Sequence, residues 1–251
     1  MDMKKTFIAI CATACLLASA DASARGPHRN HYHGPRYDTG IELSVGYLHS
    51  GYRTRNEFND DVTKDGGLNG LSLGVTKDFT LVDNTLYLQT GLAYEFQTNS
   101  KRYTHEMNLK VVQERSEHYL DIPLRIKFAM DVFPEMRAFI YLGPTLDFGL
   151  SAKLQGRLRG EGETMGKVTY NYFTGKLKGD TIGNFTLPAP ASRYRAFDVF
   201  MGGALGVELY DIAVVKFGFD WGLINKNKSQ EIADNFTTHR NLFHLGVGVR
   251  F

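Results

Sequence analysis

From residue 39 to the last residue, apolar side chains return at every second position in a series of runs separated by polar stretches. A period of two puts one set of side chains on each face of an extended chain, so each run predicts a β-strand. Residues 39–48 set Ile41, Leu43, Val45 and Tyr47 against Glu42, Ser44 and Gly46. Leu71, Leu73 and Val75 oppose Ser72, Gly74 and Thr76, and Lys77 closes that apolar row with a side chain long enough to snorkel. The third run sets Leu86, Leu88, Thr90, Leu92, Tyr94 and Phe96 against Tyr87, Gln89, Gly91, Ala93 and Glu95. In the fourth, residues 119–128, Leu120, Ile122, Leu124, Ile126 and Phe128 oppose Asp121, Arg125 and Lys127. Pro123 interrupts it and cannot donate to a ladder, which predicts a bulge there. The fifth sets Ile140, Leu142, Pro144, Leu146 and Phe148 against Phe139, Tyr141, Gly143, Thr145 and Asp147. The sixth sets Phe197, Val199, Met201, Leu205, Val207 and Leu209 against Asp198, Phe200, Ala204 and Glu208. The seventh sets Ala213, Val215, Phe217, Phe219 and Trp221 against Lys216, Gly218 and Asp220. The last, residues 241–251, sets Phe243, Leu245, Val247, Val249 and Phe251 against Leu242, His244, Gly246, Gly248 and Arg250.

The phase of the charges decides which face is wet. Glu42, Glu95, Asp121, Arg125, Lys127, Asp147, Asp198, Glu208, Lys216, Asp220 and Arg250 all fall in the row opposite the apolar one. A water-soluble barrel keeps apolar residues inside and charge outside. Turned that way round in a bilayer, about ten charges would face lipid; turned the other way, the apolar rows face lipid and the charges face a lumen. A charge on the lipid face at mid-bilayer costs ~2–4 kcal/mol, so the mismatch would swamp the stability of one domain. Connections alternate long (49–65, 97–117, 151–192, 225–238) and short (78–84, 131–137, 210–211). The predicted fold is therefore all-β, an up-and-down antiparallel transmembrane β-barrel of about eight strands, with long extracellular loops and short periplasmic turns. Residues 153–159 and 167–173 either extend the sheet above the membrane or add a hairpin, which would bring the count to about ten.

The N-terminal segment stands outside this pattern. Lys4 and Lys5 precede an apolar run over residues 7–18 and then small residues, the design of a secretory signal peptide cut after Ala24 or Ala20. A lipoprotein signal acylated at Cys15 is the competing reading. The expected organisation is signal peptide 1–24, periplasmic tail 25–38 and barrel 39–251. Both cysteines, Cys11 and Cys15, lie in the signal, which excludes a disulfide framework, a thiolate nucleophile and a cysteine zinc site from the rest. A closed hydrogen-bonded barrel is one way to be stable without disulfides. The formal net charge of +2 is unchanged by signal removal, since Lys4 and Lys5 leave with Asp2 and Asp21, and is too mild to predict nucleic acid as a partner. The mean hydropathy of −0.27 is compatible with a barrel, whose lumen rows and outer loops are polar.

The signal segment, the alternating strands, the run Y-L-D-I-P-L-R-I-K-F at 119–128 and the terminal Phe251 together resemble the PorT-like outer-membrane β-barrel family of the Bacteroidota, within the OmpA/OmpX size class. The sharpest similarity is of residues 119–128 to that family's Tyr-Leu-(Glu/Asp)-Ile-Pro-Leu strand. The resemblance implies a multi-pass location in the bacterial outer membrane and a structural or interaction role. Some members belong to a secretion and gliding apparatus, so secretion-complex proteins are implied partners beside outer-membrane lipids and lipopolysaccharide. Phe243, Leu245, Val247, Val249 and Phe251 resemble the terminal signal read by the barrel assembly machinery. The family carries over no catalytic or ligand site.

The residues themselves predict no catalytic set, no cofactor and no metal centre. His28, His31 and His33 in the tail could bind a divalent metal or simply belong to a polar tail. His105, His118 and His239 fall near rim loops with acids close in sequence, the raw material of a rim active site or of an ordinary polar surface. Depth along alternating strands places Glu42, Lys127, Glu208, Lys216 and Arg250 in the periplasmic half of the lumen. Glu95, Asp121, Asp147, Asp198 and Asp220 fall in the outer half, with Arg125 and His244 between. That outer tier either attracts a cation or is neutralised by loop bases such as Arg193 and Arg195. Inward Tyr87, Phe139, Tyr141 and Phe200 favour a plugged lumen over a narrow small-solute or cation pore. External Tyr52, Arg53, Arg55, Tyr103, Tyr170 and Tyr172 suit an aromatic girdle or contact with lipopolysaccharide or a protein.

Overall fold

Among the described residues, ten strands follow one another with no helix between them: β1 (Ile41–Asn56), β2 (Asp61–Val82), β3 (Leu86–Thr104), β4 (Lys110–Phe133), β5 (Met136–Gly160), β6 (Glu163–Asn171), β7 (Leu177–Gly179), β8 (Phe197–Leu209), β9 (Ala213–Gly222) and β10 (Phe236–Arg250). The computed structural model describes residues 40–56, 61–104, 110–160, 163–179, 193–228 and 236–251. The signal and tail, with His28, His31 and His33, lie outside the described residues, as does His105.

Every pairing is antiparallel, and the sheet closes on itself. The ring runs β4-β3-β2-β1-β10-β9-β8-β5 and back to β4. Closure across the chain ends is tight in register: Glu42 lies opposite Arg250 and Asn56 opposite Phe236. β5 divides its length between two neighbours. Met136 to Phe148 pair with β8, whereas Lys153 to Gly160 pair with β6, which in turn carries β7. The membrane-sized ring is therefore eight-stranded, and β6 and β7 form a flap rising from one side of it. Both readings of residues 153–173 hold: β5 extends beyond the ring, and a further hairpin is added.

The apolar rows point outward. Leu43, Leu73, Leu92, Ile126, Leu142, Leu205, Phe217 and Leu245 are all exposed, forming a continuous apolar belt around the ring. Aromatic side chains cluster at its two margins: Tyr94, Phe148, Phe197 and Trp221 at the loop end, and Phe128, Phe133, Tyr210 and Phe251 at the turn end. Such paired margins are the girdles of a barrel that sits in a bilayer. Lys77 stands in the outward row of β2, and its ammonium lies over the Phe79 ring at 5.2 Å.

The polar stretches expected to be loops are largely strand. β1 runs on to Asn56, β2 starts at Asp61, β3 reaches Thr104, and β4 starts at Lys110. Above the belt the outward face meets water rather than lipid, so the alternation fades although the ladder continues. Pro123 produces no bulge, contrary to expectation. Beside its missing N–H, Gly91 and Leu92 of β3 have no ladder partners on β4, but Thr90↔Leu124 and Ala93↔Asp121 keep one register on either side. The register shift between β4 and β5 lies at His118/Tyr119 instead. It adds a residue to β5 around Leu150, which turns Ala152 inward where simple alternation would turn it out.

Candidate functional site: the charged lumen

One side of the lumen wall is small and the other is bulky. Ser44, Gly46, Ser72, Gly74 and Ala93, on β1 to β3, face Arg125, Tyr141, Lys216 and His244 across the axis. The small wall makes room for long side chains to cross, and what they leave is a cavity of about 90 Å³ in mid-lumen. Tyr87, Phe139, Tyr141 and Phe200 are all buried within the lumen.

The charges fall into tiers. Nearest the turns, Lys127 reaches Asp78 (2.8 Å) and Glu208 (2.5 Å), and Arg250 reaches the same two acids (2.9 and 2.6 Å). Two acids and two bases make a closed neutral square, which lets all four stay ionised away from water. Gln89 donates to the second Asp78 oxygen at 2.9 Å. Beside the square, Lys216 pairs with Glu42 at 2.5 Å. Arg137, also buried, donates to the Tyr87 hydroxyl and to the Asn84 carbonyl, closing the turn end.

In the middle tier Arg125 donates to Asp220 and to Thr145, both at 2.9 Å, and its guanidinium lies 4.6 Å from the Tyr141 ring centre. His244 lies 3.4 Å from Asp220 and 3.2 Å from the Tyr141 hydroxyl. Sequence depth put Asp220 in the outer tier; the structure gives it to Arg125 and His244. Toward the loops, Arg240 pairs with Glu95 (2.5 Å) and Asp147 (3.3 Å), and Lys226 with Asp147 (3.4 Å) and Asp198 (3.3 Å). The Arg240 guanidinium lies flat on Tyr119, 3.8 Å from its ring centre. Asp121 joins the same level, with one carboxylate oxygen each from Glu95, Asp121 and Asp147 within 4.8 Å of one another.

An aromatic lid covers this tier. Tyr172 stacks on Tyr194 (4.6 Å between ring centres), Tyr194 stacks on Tyr52 (5.6 Å), and the Arg115 guanidinium packs over all three rings. Glu117, on the stretch of β4 that rises beyond the belt, accepts from Tyr52 (2.6 Å), Tyr119 (2.9 Å) and Arg115 (2.7 Å). Burial alone would push the Glu117 pKa up, but the Arg115 and Arg240 charges and the two hydroxyls hold it below the usual glutamate value. Burial, reinforced by the Glu117 charge, drives the Tyr52 phenol well above its ordinary value, so it stays a donor.

All eleven lumen charges named from the sequence project into the barrel, each paired or clustered as described; Phe243, Leu245, Val247, Val249 and Phe251 lie on the opposite row of β10 and its end. Arg193 and Arg195 do not neutralise the outer acids: both are exposed at the rim, and Arg240 and Lys226 take that role. Sequence reasoning missed Asp78, Glu117 and Arg240, although each continues an inward row past the point where a loop was expected. Lys226 was beyond reach, since it enters from the irregular segment after β9. Tyr52, Tyr170 and Tyr172 are buried in the lid rather than offered to a girdle or an external ligand. Among the rim histidines, His118 packs against Tyr94 and Phe96, and His239 meets the Gly222 carbonyl. Among the described residues a histidine meets a carboxylate at His244–Asp220, inside the closed lumen.

A family model for the outer membrane protein beta-barrel domain matches residues 35–227. No curated protein matches the chain. Among solved structures, the chain is similar to the attachment invasion locus protein Ail of Yersinia pestis, with 11% identity, 84% of this chain and 99% of that one covered, and a TM-score of 0.36. It is also similar to Neisserial surface protein A (12% identity, 84% and 97% covered, TM-score 0.36) and to the outer membrane protease OmpT of Escherichia coli (9%, 86% and 98%, TM-score 0.31). With three-quarters of its length matched by that family model, an apolar belt outside and ion pairs within, the chain belongs to the outer membrane protein β-barrel domain family.

Proposed function

We propose that this outer-membrane barrel is a closed, non-enzymatic structural or interaction protein, and that its lumen does not conduct. The observation that supports this reading is the stack of tiers. The turn-end square, Arg125–Asp220, Arg240 with its acids and the tyrosine lid each span the axis, and the cavity left between them is about 90 Å³. An ion crossing the barrel would have to break several buried pairs. Planar-bilayer recording on the refolded chain tests this. No stepwise current is expected; steady unitary currents under modest voltage would overturn the reading and favour a narrow pore.

The interaction part of the proposal rests on the wall beyond the belt. With the short turns in the periplasm, β4, β5 and β6 rise outside the cell. Lys110, Lys153, Arg159, Lys167 and Lys178 share the outward face there and are exposed, with Glu114 bound to Arg157 at 3.0 Å. That face stands directly above Phe148 and Leu150, where the outer leaflet places lipopolysaccharide phosphates. Replacing Lys153, Arg159 and Lys167 by glutamine should weaken capture of lipopolysaccharide micelles in a salt-dependent manner; unchanged capture would remove this role. The narrower PorT-like affiliation, with its secretion-complex partners, is supported by residues 119–128 alone. Copurification of periplasmic or inner-membrane components with the tagged barrel is its test, and repeated recovery of the barrel alone would count against it.

A further inference from the structure

The lumen is nearly charge-balanced, and its imbalance is local. The turn-end square is neutral, Lys216 answers Glu42, Arg125 answers Asp220, and Arg115 answers Glu117. At the outer tier, four acids (Glu95, Asp121, Asp147 and Asp198) share two bases, Arg240 and Lys226. Three of those acids touch a base. Asp121 touches none among the described residues, is only 7% exposed, and its Oδ1 has no hydrogen-bond partner. A buried carboxylate oxygen with no donor is a costly arrangement, and Arg125, whose charge reaches Asp121, is already paired with Asp220. Its carboxyl instead converges with those of Glu95 and Asp147, within 4.8 Å, and borders the mid-lumen cavity.

We propose that Glu95, Asp121 and Asp147 hold a hard divalent cation of calcium size, with waters from the adjacent cavity completing its shell. Three lines converge on that choice. The donors are all carboxylate oxygens, with no nitrogen or sulfur, which selects a hard cation over zinc or copper. Two uncompensated negative charges at this level call for a divalent ion. Arg240 and Lys226 already fix one side of Glu95 and Asp147, so the ligand shell is irregular, which calcium tolerates and magnesium does not. The tyrosine lid lies just above, so the ion enters as the barrel folds and stays trapped. The proposal rests on the outer tier alone and stands or falls separately from conductance and from lipopolysaccharide binding.

The test is to refold the full chain into detergent micelles with millimolar calcium, remove free ions, and measure bound metal by elemental analysis. Thermal unfolding with calcium or with chelator is followed on the same samples. The expected result is about one calcium per barrel, a higher midpoint when refolded with calcium, and at least a tenfold loss of retained metal in Asp121→Asn. That substitution keeps the shape and removes the unanswered charge, so it should fold, as shown by the heat-dependent gel shift of a closed barrel. Lys216→Gln, remote from the tier, should retain the metal and controls for ions held by the surface. The proposal is overturned if wild type retains no calcium, if Asp121→Asn retains as much, or if a protonated-carboxyl infrared band assigned to Asp121 persists at neutral pH in calcium-refolded protein, since a proton would then occupy the place given to the metal.

Discussion

Arg240 is the residue whose loss should hurt most. It is fully buried, lies on Tyr119, and reaches across from β10 to two acids on the strands that flank β4, Glu95 on β3 and Asp147 on β5. Arg240→Met fills much of the same volume but strands those carboxylates, and breaking a buried pair from one side costs ~3–5 kcal/mol. Arg157→Met removes a base from a pair with Glu114 that solvent reaches, and the cost should stay within about 1 kcal/mol. Urea unfolding in micelles, followed by the fluorescence of the single tryptophan, Trp221, measures both. Equal costs for the two would deny the buried network any weight. Glu117 gives the pH counterpart. Its folded pKa lies below the ordinary value, so the unfolded chain takes up its proton first as pH falls. The stabilisation is thus complete above the unfolded pKa and lost as pH drops through the folded one. Glu117→Gln should flatten that acid limb of the stability curve and leave its shape near neutrality unchanged; an identical acid limb in the variant would show that Glu117 does not contribute it.

Strand by strand, the period of two located the parts that cross the belt, because there one face meets lipid and the other meets ions. It could not locate their ends. Residues 97–104 and 110–117 read as loop, yet they pair from Gln97↔Glu117 to Thr104↔Lys110, held by the ladder rather than by any contrast between faces. The inward rows were legible further than they were read: Arg250, Gly248, Gly246, His244 and Leu242 lead by twos to Arg240. Which acid would lack a base was not legible, since the answer depends on Lys226 arriving from outside any strand. The Pro123 site shows a subtler limit. The proline removes a donor but the register survives on either side of it, and Gly91, on the strand facing that interruption, lets β2 come close on its other edge. A Cβ there would meet the Val75 carbonyl and the Thr76 Cα more closely than real Cβ atoms approach backbone. Gly91→Ala should therefore destabilise by about 1–3 kcal/mol, with the closed barrel still forming. A neutral effect would mean that β2 and β3 separate freely and that the close approach is not needed.

For the whole molecule, one relation ties sequence to location: the same side chains that would form the core of a soluble barrel form its outer skin. That skin has a depth-dependent tolerance for charge that no water-soluble barrel shares. Leu142 lies midway along the ring portion of β5 and is 59% exposed; Phe133 lies at the turn end of β4 and is 64% exposed. In water the two positions are alike, and a charge at either would be harmless, as most exposed substitutions are. In a bilayer they differ. Arginine at the midplane costs ~2–4 kcal/mol and near the interface ~0–1, because only the interfacial side chain keeps its hydration. Leu142→Arg should thus lose several-fold more stability than Phe133→Arg when the chain is folded into phospholipid vesicles, and the gap should narrow in short-chain detergent, whose thin shell admits water to both sites. Equal effects in vesicles would place the apolar belt in water and remove the membrane from the account, however well the ions inside are paired.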